Sequence, residues 1–479
     1  MGWLILAFVL PVLNSQATEI VNDVTRLNPI RVESVVRPDS LDQVRKIVAE
    51  AQGPISIGGG RYSMGGQTAT ERAVQIDMRS MNRVLELDVQ NRRIRVQAGI
   101  TWRDIQEAID PHDLSLRIMQ TYSNFTVGGS LSVNVHGRYI GEGPLVRSVE
   151  SIRVVLADGS LVEASPTKNS EIFYGAIGGY GGIGVIVEAT LSLTNNHKVE
   201  RIHHRMEAEE YLNYFQTKVR DDKSVVFQNA DLYPPFYKTV NSVEWRRTEK
   251  PLTQSERLIP RNQKYSLQPR VIRTLNHLPG GKLLRSGVID PILNSTDAVV
   301  WRNHEASYDV AELEPPSRDR STFVLQEYFV PVKALNDFIP KMRRVLRKHK
   351  VKVFNVSIRH ALPDPGTLLA WAPEEVFALV IYYEQGTSEE AQVRVAEWTR
   401  ELITAVLSVK GRHYLPYQIH ATPEQFLSAY PRAPEFFLLK KKLDPTNKFR
   451  NKLWDRYYLP ALSKTAPAKK EKRYPASQP

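Results

Sequence analysis

Two glycine-rich segments are the parts of this sequence best suited to bind an anion. Residues 57–67 read IGGGRYSMGGQ, and residues 126–137 read TVGGSLSVNVHG. Each opens into small or hydroxylated residues, so backbone N–H groups can surround an anion without obstruction by Cβ atoms. Two such segments in one half of the chain indicate a large diphosphate cofactor that is held from two sides.

The first segment fits neither of the two common phosphate-binding motifs. No Gly-Lys-Ser/Thr follows it, which excludes a Walker A loop. A dinucleotide-binding Rossmann turn opens a long amphipathic helix, whereas this segment runs into residues 74–78, which alternate as a strand.

Short strands and helices must position both segments. The predicted helices cover residues 41–52, opened by a capping box at Ser40, and the residues from Thr101 to about Ile109. The predicted strands are residues 54–57, 74–77, 84–87, 94–97 and 185–193, together with a hairpin over residues 152–165 that turns at Asp158-Gly159.

The second half of the chain has a different pattern. Residues 209–320 are rich in proline, aromatic and charged residues and show no clear periodicity. The elements after them are predicted as strand, helix, strand, strand and helix, over residues 322–330, 333–348, 351–359, 376–383 and 388–409. This order resembles a split βαβ layer and suits a second domain that covers substrate. Residues 411–458 are expected to pack back on the first lobe.

Length and composition indicate a two-lobed globular protein. A chain of 479 residues exceeds the size at which one core usually stops growing. Its 42% hydrophobic and 24% charged residues are ordinary for a folded protein. The sequence contains no cysteine, which excludes disulfides, thiolate metal sites and a cysteinyl link to a cofactor, and no metal site is predicted.

The two ends of the chain suggest export and a solvated tail. Residues 1–17 carry an apolar run and a Ser15-x-Ala17 cleavage pattern, as in a signal peptide. A buried N-terminal segment or a short membrane anchor is the alternative. We therefore expect a periplasmic or secreted protein if the signal is cleaved, and a membrane-associated or cytoplasmic one otherwise.

The net charge of +12 is partly local, because residues 464–479 hold five basic residues and one acidic residue. Such a lysine- and proline-rich end is typical of a disordered tail. The remaining positive charge could favour an anionic substrate or a membrane surface. No nucleic-acid-binding module is recognisable.

A third glycine-rich run, GGYGGIGV, follows the first two segments at residues 178–185. With these three segments in this order, the chain resembles the flavoproteins of the vanillyl-alcohol oxidase and para-cresol methylhydroxylase superfamily, over residues 30–458. The resemblance implies an α+β fold, with a two-lobed FAD-binding PCMH-type domain and an inserted α+β cap (substrate) domain. The implied boundaries are residues 1–17 for the signal peptide, 25–197 for the FAD-binding domain, 198–410 for the cap, 411–460 for the segment that returns to the FAD domain, and 461–479 for the disordered basic tail.

The same resemblance implies which residues hold FAD. The first loop would grip the diphosphate through backbone amides, the second segment would line the diphosphate and flavin, and the third would approach the adenosine. Carried onto this sequence, the FAD-binding residues are Gly58, Gly59, Gly60, Arg61, Tyr62, Ser63, Met64, Thr126, Gly128, Gly129, Ser130, Asn134, His136, Gly137, Gly184, Val185 and Tyr414.

The FAD is expected to be noncovalently bound. Superfamily members with a covalent flavin carry the bonding histidine in an Arg-His-Ser within the first loop, whereas this chain has Arg61-Tyr62-Ser63. A phenol cannot make the histidyl link, and no cysteine is present to make another.

Within the superfamily, the chain is most similar to sugar and sugar-lactone oxidases and to decaprenylphosphoryl-ribose oxidase. QEYFVP at residues 326–331 matches a strand of those enzymes, in which the residue at the position of Glu327 faces the flavin. NVSIRH at residues 355–360 matches a second strand, where the lactone oxidases carry Glu-x-Arg. This chain keeps Arg359 but has Ser357 for the glutamate, and Tyr417 stands where relatives place a lysine.

The candidate catalytic residues are Glu327, Arg359, Tyr417 and His136. Oxidation of an alcohol needs hydride delivery to flavin N5 and a base within hydrogen-bond reach of the hydroxyl proton. Glu327 is the first candidate base, and Arg359 would stabilise the reduced, anionic flavin. Tyr417, His360 and His420 are the alternative bases, although period-two alternation places His360 on the strand face opposite Arg359.

The leading hypothesis is an FAD-dependent oxidoreductase that oxidises a CH–OH group of a sugar, aldonolactone or polyol-like substrate. Oxygen or a quinone would be the electron acceptor. One alternative is a quinone-linked or other acceptor-linked dehydrogenase that acts on a prenyl-linked sugar at a membrane surface. A second alternative is a flavin-binding protein with little turnover.

Overall fold

The computed structural model describes residues 19–261 and 297–465, except residues 314 and 316. The predicted signal peptide at residues 1–17 lies outside the described residues, as does the tail beyond residue 465. The described part mixes helices with strands, and its strands form four sheets. No helix of this part is both long and apolar enough to span a lipid bilayer.

A small parallel sheet carries the first glycine segment. The first elements are β1 (Glu19–Val21), β2 (Ile30–Val32), β3 (Ser34–Val36), α1 (Leu41–Glu50), β4 (Ile55–Gly58) and β5 (Val74–Asp77). Strands β3, β5 and β4 run parallel in that order, and β1 pairs with β2. Helix α1 buries Val44 and Val48 with residues of this sheet. The predicted capping box does not form, since Ser40 makes no side-chain cap and Gln43 accepts a hydrogen bond from the Asp39 N–H.

An antiparallel sheet of six strands forms the next layer. Its region contains β6 (Val84–Asp88), β7 (Arg93–Gln97), α2 (Trp102–Ile109), β8 (Leu114–Leu116), α3 (Val127–Val133), β9 (Val149–Val155), β10 (Leu161–Ala164), α4 (Ser170–Ala176) and β11 (Val185–Asn195). The strand order is β10-β9-β11-β7-β6, and β8 also pairs with β11. Thr101 caps α2 in a complete capping box, and Gly159 turns the β9–β10 hairpin at φ +82°, as the sequence predicts.

An antiparallel sheet of eight strands dominates the second half of the chain. Its region contains β12 (Lys198–Glu207), α5 (Tyr211–Tyr214), β13 (Val225–Leu232), β14 (Thr239–Arg247), β15 (Val299–Trp301), α6 (Arg302–Glu305), β16 (Ser321–Pro331), α7 (Leu335–Lys348), β17 (Lys352–Ala361), β18 (Val376–Gly386), α8 (Glu389–Leu407) and β19 (Arg412–His413). The strand order is β15-β12-β14-β13-β17-β18-β16-β19.

The predicted split βαβ order is present within this sheet. Strands β16 and β17 are both antiparallel to β18, which lies between them, so they run parallel to each other. Helix α7 makes the crossover from one to the other. Strands β13 and β14 lie in the stretch where the sequence showed no clear pattern, and they join this layer to β12.

The C-terminal segment returns to the first sheet. Its helices are α9 (Pro423–Ala429), α10 (Ala433–Leu443), α11 (Lys452–Tyr457) and α12 (Leu459–Thr465). The Ile55 N–H donates to the Lys448 carbonyl at 2.7 Å, and the Arg450 N–H donates to the Ile55 carbonyl at 2.9 Å. Lys440 on α10 is fully buried and donates to the Gly182 carbonyl at 2.7 Å. These bonds fix β4 and the third glycine run to the end of the chain.

Candidate active site

A large cleft is lined both by the glycine segments and by one face of the eight-stranded sheet. Its volume, counted with its solvent-filled mouth, is about 1630 Å³. The sheet contributes Leu325 and Glu327 from β16 and Arg359 from β17.

The first glycine segment enters the cleft as a loop in close contact with the second. A Cβ atom on Gly59 would lie 2.2 Å from Thr126 Oγ1, and one on Gly60 would lie 2.6 Å from Cε2 of Tyr62. Within residues 19–261 and 297–465, no acceptor takes a hydrogen bond from the backbone N–H of Gly59, Gly60, Arg61 or Ser63. The loop therefore presents a row of available donors where no side chain obstructs them.

Arginine side chains add positive charge beside this loop. The Arg61 guanidinium lies 3.7 Å from the Asp77 carboxylate, and Arg79 pairs with the same carboxylate at 2.6 Å. Burial would raise the pKa of Asp77, but the hydrogen bonds from Arg79 and the charge of Arg61 outweigh it and hold this pKa below its ordinary value. Arg61 Nε is buried without a partner in the described part of the chain. The loop can thus supply a side-chain donor as well as backbone donors.

The second glycine segment forms the N-terminus of helix α3. Thr126 caps the helix by accepting from the Gly129 N–H. The Val127 and Gly128 N–H groups already donate to the carbonyls of Ile100 and Ala98, at 2.9 and 2.7 Å. Fewer free donors therefore remain here than the sequence led us to expect. Thr126, Gly128, Gly129 and Ser130 all line the cleft, so this segment mainly gives the cleft its shape.

Three predicted FAD-binding residues do not line the cleft. Asn134 ends helix α3 in the left-handed region at φ +50°, and its side chain donates to Asp364 at 2.8 Å. Gly137 lies against the Met119 carbonyl, where a Cβ atom would come within 2.2 Å. Val185 is fully buried in β11. All three hold the backbone around the cleft in place.

The remaining members of the predicted FAD set do line it. Gly184 lines the cleft just before β11 begins. Tyr414 also lines the cleft, and its hydroxyl donates to the Val133 carbonyl at 2.7 Å. The cleft-lining members of the set are Gly58, Gly59, Gly60, Arg61, Tyr62, Ser63, Met64, Thr126, Gly128, Gly129, Ser130, His136, Gly184 and Tyr414.

His136, Glu327 and Tyr417 form a hydrogen-bonded group in the cleft. His136 Nδ1 donates to the Gly137 carbonyl at 3.1 Å, because a carbonyl oxygen can only accept. His136 Nε2 then faces Oε1 of Glu327 in a short hydrogen bond. The Tyr417 hydroxyl donates to the other carboxylate oxygen, Oε2, at 3.1 Å. Glu327 is only 4% exposed, so these partners hold a carboxylate that water scarcely reaches.

Two pKa shifts describe the charges of this group. Burial, and then the neighbouring Glu327 carboxylate, raise the pKa of the Tyr417 phenol well above its ordinary value. Burial lowers the pKa of Arg359, and the charge of Glu327 opposes that shift. Arginine keeps its proton in proteins, so the cleft contains a neutral phenol and a cation beside the carboxylate.

The two other histidines considered as bases lie elsewhere. His360 is on β17 but faces away from Arg359, as predicted, and its Nε2 pairs with Glu375 Oε1 at 2.7 Å. His420 Nε2 bonds to Gln418 Oε1 at 2.6 Å. Neither side chain lines the cleft.

Several residues that line the cleft were not predicted from the sequence. Phe323 and Leu325 precede Glu327 on β16 at intervals of two, so strand alternation alone could have identified them. Gln120 and Tyr122 come from an irregular connection between β8 and α3, for which no local signal exists. The cleft-lining residues not predicted include Gln120, Tyr122, Phe125, Ser132, Tyr180, Arg318, Phe323, Leu325 and Tyr382.

Comparison with known proteins identifies the class of this site. A family model described as "FAD binding domain" matches residues 32–165. A second model, described as "D-arabinono-1,4-lactone oxidase", matches residues 189–457. The protein is an FAD-dependent oxidoreductase, and its chain belongs to the D-arabinono-1,4-lactone oxidase family. The unpaired amides at Gly59 and Gly60 and the orphaned Arg61 Nε fit the diphosphate of this cofactor.

Two similar proteins match this chain over most of its length. It is 22% identical to L-gulonolactone oxidase of Bos taurus over 425 residues, which is 88% of this chain and 93% of that protein. It is 22% identical to decaprenylphosphoryl-beta-D-ribose oxidase of Mycolicibacterium smegmatis over 440 residues, or 85% and 90% of the two chains. A shorter match, 29% identical over 174 residues, covers 36% of this chain and 30% of L-galactono-1,4-lactone dehydrogenase 1 of Oryza sativa subsp. japonica.

Replacement of Gly59 by alanine is expected to weaken FAD binding by about 10-fold or more. The new methyl group would clash with Thr126 Oγ1, and relieving such overpacking typically costs about 1–3 kcal/mol. Dissociation constants for FAD, measured by fluorescence titration of the apoprotein, check this. Gly53→Ala is the control, because a Cβ there meets nothing within 4 Å. Equal affinities for the two variants would contradict the assigned role of the loop.

Proposed function

We propose that the protein oxidises a CH–OH group of an aldonolactone or related sugar in this cleft. The observation that carries the proposal is the Glu327 carboxylate, held by His136 and Tyr417 in the cleft that Arg359 also lines. The similarity to L-gulonolactone oxidase and to a ribose-derivative oxidase supports the substrate class.

The cofactor would be held mainly by the first loop. The backbone amides of Gly59, Gly60 and Ser63, with the Arg61 guanidinium, would bind its diphosphate. The FAD, when bound, supplies the acceptor for the hydride that leaves the substrate carbon. We further propose that residues 198–410 act as the cap, since β16 and β17 from that segment provide the cleft face that contains Glu327 and Arg359.

Glu327 would remove the proton of the substrate hydroxyl. As the O–H bond breaks, the proton passes to Oε2, while the C–H bond breaks with its electron pair and the carbon becomes a carbonyl. The Oε1 atom stays bonded to His136, which fixes the carboxylate in one orientation. Tyr417 is a poorer base than Glu327, because its raised pKa keeps the phenol as a donor.

Arg359 would balance the negative charge that develops in the cleft during the reaction. Its cationic side chain lines the cleft, and its Nε is buried without a partner among the described residues. A preorganised cation in a site shielded from water stabilises developing negative charge more strongly than it would in solution.

We also propose that the FAD is bound without a covalent link. Tyr62 stands at the position of the bonding histidine, and its ring packs against Phe125 with the centroids 4.4 Å apart. Acid precipitation of the purified protein should therefore release FAD into the supernatant. A yellow pellet with a colourless supernatant would contradict this assignment.

The proposed reaction is tested by anaerobic mixing of the holoprotein with a panel of aldonolactones, free sugars and polyols. We expect one or more members to bleach the oxidised flavin absorbance. If dithionite bleaches the flavin but no member of the panel does, the proposed substrate class is wrong.

A further inference from the structure

Gln120 lines the cleft, and a hydrogen bond from a buried neighbour fixes the orientation of its carboxamide. The Trp102 indole Nε1 lies 2.6 Å from Gln120 Oε1, and the Ser130 hydroxyl lies 3.0 Å from the same oxygen. The indole nitrogen is also 3.1 Å from Ser130 Oγ. Trp102 and Ser130 are almost completely buried. The Ser130 hydroxyl also lies 2.9 Å from the Thr126 carbonyl, so the Trp102 indole N–H is the donor that fixes the glutamine oxygen.

This arrangement determines which way the amide faces. An indole N–H can only donate, so the atom that meets it must be the carboxamide oxygen rather than the nitrogen. The NH₂ group of Gln120 consequently points away from Trp102. In the part of the chain that the structure describes, no acceptor takes a hydrogen bond from Gln120 Nε2, although the residue lines the cleft.

The backbone of Gln120 lies close to that of the His136-Gly137 step. Gly137 packs so closely on the Met119 carbonyl that a Cβ atom there would lie 2.2 Å from the oxygen. Gln120 is the residue after Met119, so its backbone begins beside the His136-Gly137 step. His136 in turn bonds to Glu327.

We propose that Gln120 Nε2 is a fixed hydrogen-bond donor to an acceptor oxygen of a molecule bound in the cleft. The oxygen belongs either to a carbonyl of the flavin ring or to the sugar-like substrate, which present the same chemistry to an amide. The inference rests on the proposed function, in that it places the acceptor in the same redox site. Gln120 is then a binding residue that orients one of the two reactants.

The variant Gln120→Glu tests this directly. Glutamate keeps an acceptor oxygen for Trp102 and Ser130 but replaces the NH₂ donor by a second oxygen. If the partner is the flavin, the absorbance spectrum and midpoint potential of the substrate-free holoprotein will shift. If the partner is the substrate, those properties will stay unchanged and the substrate dissociation constant, measured by anaerobic titration, will rise about 10-fold or more.

Gln97→Glu is the matched control. Gln97 is also buried and also accepts a hydrogen bond through Oε1, from the Arg83 N–H at 3.0 Å, but it does not line the cleft. We expect this variant to leave spectrum, potential and substrate affinity unchanged. Gln120→Met, which removes the donor without adding charge, provides a second test if Gln120→Glu does not fold.

Unchanged spectrum, potential and substrate affinity in a folded Gln120 variant would overturn the inference. This outcome differs from failure of the proposed function, in which the wild-type flavin is not bleached by any sugar. The spectrum and potential can be compared in either case, because they require only bound FAD.

Discussion

Replacement of Glu327 by glutamine should lower the rate of flavin reduction by substrate by about 10²–10⁴-fold. The amide has nearly the shape of the carboxylate and can still hydrogen bond with Tyr417 and His136, but it cannot accept the hydroxyl proton. Anaerobic stopped-flow mixing, which follows the loss of oxidised flavin absorbance, measures this rate without dependence on the electron acceptor.

Glu384→Gln is the matched control for this variant. Glu384 is another buried carboxylate in the same sheet, on β18, and accepts from the Ser321 hydroxyl at 2.6 Å. It does not line the cleft, so its amide variant should reduce flavin at the wild-type rate. Both variants should retain FAD. A Glu327→Gln rate within threefold of wild type would exclude Glu327 as the base.

Replacement of Lys440 by methionine should destabilise the holoprotein by about 3–5 kcal/mol. Lys440 and Asp444 form a fully buried ion pair with Nζ 2.8 Å from Oδ2. Burial lowers the pKa of Lys440, and the Asp444 carboxylate opposes that shift. Removal of the ammonium leaves a buried carboxylate without its counter-ion, and also leaves the carbonyls of Gly182 and Phe449 without their donor.

A surface ion pair on the same helix supplies the comparison. Lys442 pairs with Glu171 at 2.7 Å, but both side chains are more than half exposed, and such pairs contribute little to stability. Denaturant midpoints of Lys440→Met and Lys442→Met, measured at the same FAD concentration, should differ widely. Equal midpoints would show that the buried pair is not a major source of stability.

Local patterns in the sequence predicted most of the regular elements around the site. The helix cap at Thr101 and the Asp158-Gly159 turn depend on neighbouring residues alone, and both form as expected. The capping box predicted at Ser40 does not form. Alternation in β17 correctly separated Arg359 from His360, because side chains on a strand alternate between its two faces.

The parts of the site that depend on tertiary contacts could not be predicted in this way. His136 and Glu327 are 191 positions apart, and no periodic signal reports that their side chains meet. Asn134 shows the same limit. Its place in a motif predicts FAD contact, and this stays a prediction, but no local signal reports that its side chain bonds to Asp364, far along the sequence.

The second half of the chain shows the same limit. Strands β13 and β14 carry polar and charged residues at buried positions, such as Gln228 and Glu244. Each of these side chains has a hydrogen-bond partner, since the Tyr214 hydroxyl donates to Glu244 at 2.6 Å and Gln228 donates to Tyr211 at 2.8 Å. Such paired burial disrupts the alternation of apolar and polar residues from which strands are recognised.

The most direct measurement of the central claim is anaerobic flavin reduction by the most active sugar of the panel, prepared with and without deuterium at the reacting carbon. Hydride transfer from a CH–OH group predicts that the flavin absorbance is lost, and that the deuterated sugar bleaches it several-fold more slowly. Persistent flavin absorbance with every sugar tested would contradict the account.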